Sequence, residues 1–245
     1  MELRGINLGC NNKLIHNNKS QNLNFKGNSE KIGDSVSFSS NGKNEKTNKE
    51  FIDYLKSATY QELDPKIVKK YVKNGTRVNE AKDEFGRTPI HLARSKEVAK
   101  ILVDNNADVN AKDDKGKNAL SNTILWQNEE LMKFLIDNGA DVNSKDNNQE
   151  TPLFDAVRLG KRGLIELLLQ NGADPNAKNK DEQTALHKAA IWGDIEPAAI
   201  LMENGADINA RDKNEKNPIQ TALKCDNLEM AKDMRMIHKL LNSLK

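Results

Sequence analysis

Histidine and cysteine are the residue types in this chain best suited to hold a metal ion or to act as a nucleophile. The 245-residue sequence contains six of them: His16, His91, His187, His238, Cys10 and Cys225. The cysteines lie in different regions, and no cysteine, aspartate or second histidine stands at zinc-ligand spacing from His91 or His187. We therefore expect no metal site and no disulfide framework, a cysteine usage that suits a reducing compartment.

Other catalytic patterns are equally hard to find in the sequence. The glycines come singly, so there is no glycine-rich phosphate loop. No serine or cysteine is accompanied by a recognisable base and orienting acid, although residues distant in sequence can still form a triad. The aspartates recur in register, where turn and capping roles are expected. The sequence therefore favours a protein that is not an enzyme and needs no cofactor.

Charge and hydropathy argue against two further classes of function. The formal net charge is +2, and residues 1–50 carry eight basic against five acidic side chains, which leaves −1 for the rest. The later part therefore lacks the basic footprint of a nucleic-acid binder. No run of 18 apolar residues occurs, and the first residues hold no apolar run of seven or more. We expect neither a membrane span nor a secretory signal.

Two short phrases recur along the chain in constant phase. The first reads Ala-Asp-Val-Asn-Ala at 107–111, and its asparagine returns at positions 79, 110, 143, 176 and 209. The second follows eight or nine residues later and reads Thr-Pro-Leu-Phe at 151–154 and Thr-Ala-Leu-His at 184–187. The asparagines are 31, 33, 33 and 33 residues apart. A fixed period near 33 predicts a solenoid of stacked helix pairs.

The order Thr-Pro/Ala-Leu-His, Gly, then Gly-Ala-Asp-hydrophobe-Asn-Ala resembles the ankyrin repeat from residue 50 to about 240. The resemblance implies an all-α fold class, an ankyrin-repeat solenoid of helix-turn-helix units with short β-hairpin connections. It also implies that His91 and His187 hydrogen-bond across repeats, which is a structural role.

Seven segments are predicted on this basis. Residues 1–48 contain eleven asparagines and no sustained apolar periodicity, so we expect a disordered Asn/Lys-rich tail. The other segments are an N-terminal capping repeat (49–82), a shortened repeat (83–112), three full repeats (113–145, 146–178, 179–211) and a C-terminal capping repeat (212–245).

Departures from the family pattern give two local predictions. The repeat 83–112 is three residues short and lacks the usual glycine between its helices, so its first helix or its inter-helix turn should be trimmed. The glycine of the hairpin tip is present as Gly86 and Gly116 but is replaced by Gln149, Glu182 and Glu215. We expect these later tips to be less tight.

The best functional signal is positional. In the ankyrin pattern two variable residues precede the glycine between the helices and point into a concave groove that binds partners. These positions predict a partner-binding strip of Leu125, Trp126, Arg158, Leu159, Ile191, Trp192 and Lys224, with Cys225 beside it. Stacking predicts that the two tryptophans, two repeats apart, lie roughly 16–20 Å from each other. The alternative is that each tryptophan folds over the turn of a neighbouring repeat.

Two more features follow from the resemblance. The hairpin tips mix both signs of charge, so a solvated rim is expected. Asparagines at this hairpin position can be substrates of an asparaginyl hydroxylase, which usually has a leucine eight residues upstream. The candidates for hydroxylation are Asn110, Asn143, Asn176 and Asn209.

The sequence as a whole predicts a monomeric cytoplasmic scaffold, without enzymatic activity, that binds a protein partner in its concave groove. One alternative is an effector-type ankyrin protein of an intracellular microbe, delivered into a host cell to capture a host protein. A second is an enzyme with a catalytic centre that sequence does not reveal. A third is a subunit of an oligomer that uses the amphipathic C-terminal helix as a dimer seam.

Overall fold

The structure, a computed structural model, describes residues 44–57 and 63–244, which form twelve α-helices. The helices are α1 (Asn44–Ser57), α2 (Pro65–Lys73), α3 (Pro89–Leu92), α4 (Lys96–Val103), α5 (Ala119–Trp126), α6 (Glu129–Asp137), α7 (Pro152–Arg158), α8 (Arg162–Gln170), α9 (Ala185–Trp192), α10 (Ile195–Glu203), α11 (Pro218–Lys224) and α12 (Leu228–Ser243). The all-α prediction is confirmed. Within these residues no helix has both the length and the apolar character needed to cross a bilayer.

The first helix begins before the boundary predicted from composition. α1 starts at Asn44, so the last residues of the predicted tail belong to this helix. Its first turn is polar, and the apolar pattern therefore gives no sign of where it begins. Glu45 suits the positive end of the helix, and Lys46 pairs with Glu50 at 3.9 Å. The rest of the predicted tail lies outside the described residues.

The helices alternate between two layers. α3, α5, α7, α9 and α11 each pack against the next in that series, and α4, α6, α8, α10 and α12 do the same. α1 packs against α3, and α2 packs against α4. We call these series the first-helix layer and the second-helix layer. Since each pair contacts its neighbouring pairs, the arrangement is that of a solenoid.

Small side chains let the first-helix layer pack closely. Ala185, Ala189 and Ala190 of α9 are completely buried. Larger residues fill the space between the layers, and Leu186 and Leu201 have no exposed surface. Because each repeat buries mainly aliphatic side chains against its neighbours, the low aromatic content of 4% is enough for this fold.

The shortened repeat is trimmed in its first helix, which confirms that prediction. α3 has four residues, whereas α9 has eight. Side chains of the next repeat take up the freed carbonyl groups. Asn122 donates from Nδ2 to the carbonyl oxygen of His91 at 2.9 Å, and Asn128 donates in the same way to Arg94 at 3.0 Å. The trimmed turn is therefore held by the repeat that follows it.

The connections between repeats are hydrogen-bonded loops, and the structure assigns no strand to them within the described residues. Each loop is closed by a backbone bond, such as that from the Asp113 N–H to the carbonyl oxygen of Lys117 at 3.0 Å. Neighbouring tips are joined as well, for example from the Asn147 N–H to the carbonyl oxygen of Lys115 at 2.8 Å. The hairpin connections therefore consist of turns linked side by side.

The prediction that tips without glycine are less tight is wrong. Gly116 and Gln149 both adopt a left-handed conformation, with φ of 77° and 61°, and each N–H donates to the loop's first carbonyl at 2.9 Å. This conformation costs a residue with a Cβ about 1–2 kcal/mol. The carboxylate of Asp146 offsets that cost by accepting from the N–H groups of Asn148 (2.7 Å) and Glu150 (2.9 Å).

The asparagine of the recurring phrase joins each repeat to the next. Asn143 donates from Nδ2 to the carbonyl oxygen of Gly172 at 2.9 Å and accepts at Oδ1 from the N–H of Asp174 at 2.8 Å. Equivalent pairs of bonds to the following repeat are made by Asn79, Asn110 and Asn176. The side chain of Asn209 makes no such bonds among the described residues, because the positions 29 and 31 residues later lie within α12 and not in another loop.

The two cysteines give no test of the cysteine-based prediction. Cys225 is half-buried just after α11, and Cys10 lies outside the described residues. The absence of a disulfide framework and a cytoplasmic location stay predictions.

Asn143→Ala should lower the free energy of unfolding by about 1–2 kcal/mol, because it removes two bonds between repeats. Asn209→Ala is the matched control and should change it by less than about 0.5 kcal/mol, since that side chain bridges no repeats. Urea unfolding of the wild type and both variants measures the difference. Equal losses at the two positions would show that the bonds to the next repeat contribute nothing to stability.

Candidate functional site

The predicted strip lies at one end of the first-helix layer. α5 ends at Trp126, α7 at Arg158, α9 at Trp192 and α11 at Lys224, so successive repeats present their last helical residues side by side. The hairpin tips precede the same helices and lie at the opposite, N-terminal end. A helix of seven or eight residues is about 10–12 Å long, which separates the ends of these helices from the tips. The side chain of Arg158 reaches back along α7 to Asp155, which Lys117 of a tip also contacts.

Trp126 both packs and remains accessible. Its indole is half-buried, and the guanidinium carbon of Arg94 lies 4.8 Å from the ring centroid, within the range of a cation–π contact. Arg94 belongs to the trimmed turn of the preceding repeat. The preceding side chain, Leu125, is 56% exposed. The packing and binding interpretations of this tryptophan are therefore compatible.

Trp192 is half-buried and ends α9 just before Gly193, whose φ of 71° reverses the chain. The carbonyl groups of this turn are bonded by the next repeat. Asn227 donates from Nδ2 to the carbonyl oxygens of Ala190 (2.9 Å) and Ile191 (3.0 Å). The indole is therefore not needed to satisfy these carbonyl groups.

Between the two tryptophans the strip carries Arg158. Its side chain is exposed, and one terminal nitrogen donates to Oδ1 of the buried Asp155 at 2.5 Å. The other oxygen of Asp155 accepts from Nζ of Lys117 at 2.5 Å, and Lys117 also lies 3.9 Å from Asp146. Two cations of different repeats therefore share one buried carboxylate, which fixes the direction of Arg158. Leu159, the next residue, is half-buried.

The remaining strip positions complete the pattern. Ile191 is half-buried, and Lys224 is exposed at the end of α11. Cys225 is half-buried beside it. The structure thus brings all the predicted strip residues to one end of one layer.

Sequence analysis did not identify Arg94, Lys117 and Asp155 as residues that contact or orient the strip. The apolar stretch around Asp155 gave one signal, because a charged residue on the buried face of a helix needs a partner. Sequence could not tell which cation this partner would be, since Lys117 lies 38 residues away.

The asparagines predicted as hydroxylation substrates are exposed at the loop end of the repeats. The side chains of Asn110, Asn143 and Asn176 make hydrogen bonds to the next repeat through both Nδ2 and Oδ1, whereas the side chain of Asn209 makes no such bonds among the described residues. Hydroxylation of these residues stays a prediction.

The two repeat histidines bridge neighbouring repeats. His187 accepts at Nδ1 from the Thr184 N–H at 3.2 Å, so its proton resides on Nε2, which donates to the carbonyl oxygen of Lys216 at 2.9 Å. His91 makes the same contacts with Thr88 (3.2 Å) and Lys117 (3.1 Å). Burial lowers the pKa of both imidazoles, which keeps them neutral. Within the described residues no group of three histidine, cysteine or carboxylate side chains could hold a metal ion.

Comparison with known families agrees with this geometry. A family model described as ankyrin repeats (3 copies) matches residues 55–146, 95–179 and 153–236, which together span most of the chain. The chain belongs to the ankyrin-repeat family. Ankyrin repeats form a protein-interaction fold, so the family assigns the chain to a class of interaction domains. No curated protein matches the sequence.

The histidine bridges predict a pH dependence of stability. A folded-state pKa below the ordinary value of 6.5 means that the unfolded chain binds more protons, so the free energy of unfolding should fall as pH drops from 7.5 to 5.5. His187→Phe, which copies the residue found at Phe154, should reduce this fall by about half, since two such histidines contribute.

Urea unfolding at both pH values measures the effect. His238→Gln is the control, because the only hydrogen bond described for that imidazole, with Asn242, lies within α12. The same fall in all three proteins would contradict a role for the buried imidazoles.

Proposed function

We propose that the chain is a non-enzymatic scaffold that binds a protein partner through the strip formed by residues 125–126, 158–159, 191–192 and 224. The observation that carries the proposal is the accessibility of bulky apolar side chains at one end of the first-helix layer. Leu125 is 56% exposed, and both tryptophans are half-buried. Tryptophan and arginine are the residues most often found at the energetic centre of protein interfaces.

The backbone behind the strip favours binding, because it is already ordered. Asn128 and Asn227 hold the turns of the preceding repeats by hydrogen bonds to carbonyl groups. Asp155 fixes Arg158, and Arg94 lies on Trp126. A preorganised surface loses little conformational freedom when it binds, so a modest contact area can give useful affinity.

The alternative of a host-delivered effector rests on the Asn/Lys bias of residues 1–48 and on the resemblance of the repeat array to those of eukaryotic proteins. Only the end of that segment is described, as part of α1. The structure therefore adds no observation in its favour.

The double variant Trp126→Ala/Trp192→Ala should lose most of its partner binding, roughly 30-fold or more for two central aromatic residues. Its melting temperature should fall by less than about 5 °C, because both rings are half-exposed and neither satisfies the turn's backbone. The measurement is quantitative affinity capture from a lysate of the native cells, with helicity and melting recorded on the same samples.

Leu240→Ala/Leu244→Ala is the matched control, because it also removes two exposed apolar side chains, at the far end of α12. It should capture the same proteins as the wild type. If all three proteins capture the same set, the strip is not the binding surface. If melting of the tryptophan variant collapses, the tryptophans are packing residues.

A further inference from the structure

The pattern of charge along the strip identifies the kind of partner it fits. The eight strip positions, which include Cys225, carry two cations, Arg158 and Lys224, and no anion. A cation occurs in every second repeat: Leu125 and Trp126 are followed by Arg158 with Leu159, then by Ile191 and Trp192, then by Lys224 with Cys225. A complementary partner presents an apolar group, a carboxylate, a second apolar group and a second carboxylate in that order.

The cations are placed to meet a partner. The side chain of Arg158 is 45% exposed and uses one terminal nitrogen for Asp155, which leaves its other donors for a second carboxylate. Lys224 is exposed at the end of α11. Two acidic residues, Asp194 and Asp226, lie in the turns that follow the strip positions, and the carboxylate of Asp194 lies beside Gly160.

The secondary structure of the partner follows from the form of the surface. Within the described residues the chain offers no strand, and so no sheet edge to which an extended segment could add. The strip consists of side chains at helix ends. A partner helix satisfies its own backbone hydrogen bonds and meets the strip with one row of side chains.

Repeat spacing sets the spacing of that row. Packed helices lie about 8–10 Å apart, so the four strip positions extend over about 24–30 Å. At 1.5 Å per residue, positions about 7, 11 and 18 residues after the first lie about 10.5, 16.5 and 27 Å along a helix. These distances are close to the roughly 8–10, 16–20 and 24–30 Å from the first strip position to the other three. All four also lie on one face of a helix with 3.6 residues per turn.

We propose that the strip binds an amphipathic helix with apolar side chains at the first and third of these positions and carboxylates at the second and fourth. This inference rests on the proposed function and narrows it from any protein partner to an acidic amphipathic helix.

The test uses three fluorescein-labelled synthetic helices of about 22 residues on an alanine and glutamine background. All three carry leucine at the two apolar positions. They differ at the second and fourth positions, which hold glutamate in one peptide, glutamine in another and lysine in the last. Fluorescence anisotropy measures their binding to the wild type and to two variants.

Arg158→Gln/Lys224→Gln removes the strip cations. Lys100→Gln/Lys133→Gln removes two exposed cations of the second-helix layer, so this variant has the same net charge as the strip variant. The wild type and the second variant should bind the glutamate helix at least about 10-fold tighter than the lysine helix, as expected for charge complementarity. In the strip variant this preference should shrink to less than about 2-fold, and added salt should reduce it in the wild type.

Several results would overturn the proposal. These are equal affinity of the wild type for all three helices, no binding of any helix, or an undiminished preference in the strip variant. Equal binding of a proline-interrupted glutamate peptide would show that the partner need not be helical. If the wild type alone sediments as a dimer and the strip variant as a monomer, a second copy occupies the strip. The outcome of the capture experiment does not depend on these peptide results, so the proposed function can hold even if this inference fails.

Discussion

The hydrogen bonds of one recurring asparagine join each repeat of the stack to the next. Asn143 bonds the carbonyl oxygen of Gly172 and the N–H of Asp174, and these groups lie at the same point of the next repeat. A side chain that bridges equivalent points of successive repeats fixes their rise and register. This register explains why the spacing of 33 residues is kept in the three full repeats. It also explains why residues at the same position of successive repeats lie next to each other.

Once the backbone is repeated, only the variable side chains distinguish one row from another. The row at the ends of the first helices combines Trp126, Trp192 and Arg158, while the row of hairpin tips mixes aspartate, lysine and asparagine. A solvated rim gains little from its charges. The strip, in contrast, joins apolar area to Arg158, which the buried carboxylate of Asp155 orients, and aromatic residues with arginine are enriched at protein interfaces.

Sequence predicted the repeat architecture because apolar spacing, proline and the asparagine phrase recur together. It also located the trimmed helix of the short repeat.

Sequence analysis failed where the outcome depends on contacts between distant residues. The left-handed conformation of Gln149 is stabilised by bonds to Asp146, and a rule about glycine does not include them. Likewise the pairing of Lys117 with Asp155 depends on how far one repeat is rotated on the next. The strip itself followed from the repeat's register, but its alternation of charge acquires meaning only when the repeats are stacked.

A solenoid built in this way separates stability from recognition. The bonds that join repeats through Asn143 lie at the loop end, and the strip lies a helix length away at the other end of the first-helix layer. The turns behind the strip are held by Asn128 and Asn227, which project from neighbouring repeats and not from the strip. Side chains of the strip are therefore free to change with the partner while the register of the stack stays constant. This separation is the physical reason to look for function among the residues that break the repeat pattern, and for stability among those that keep it.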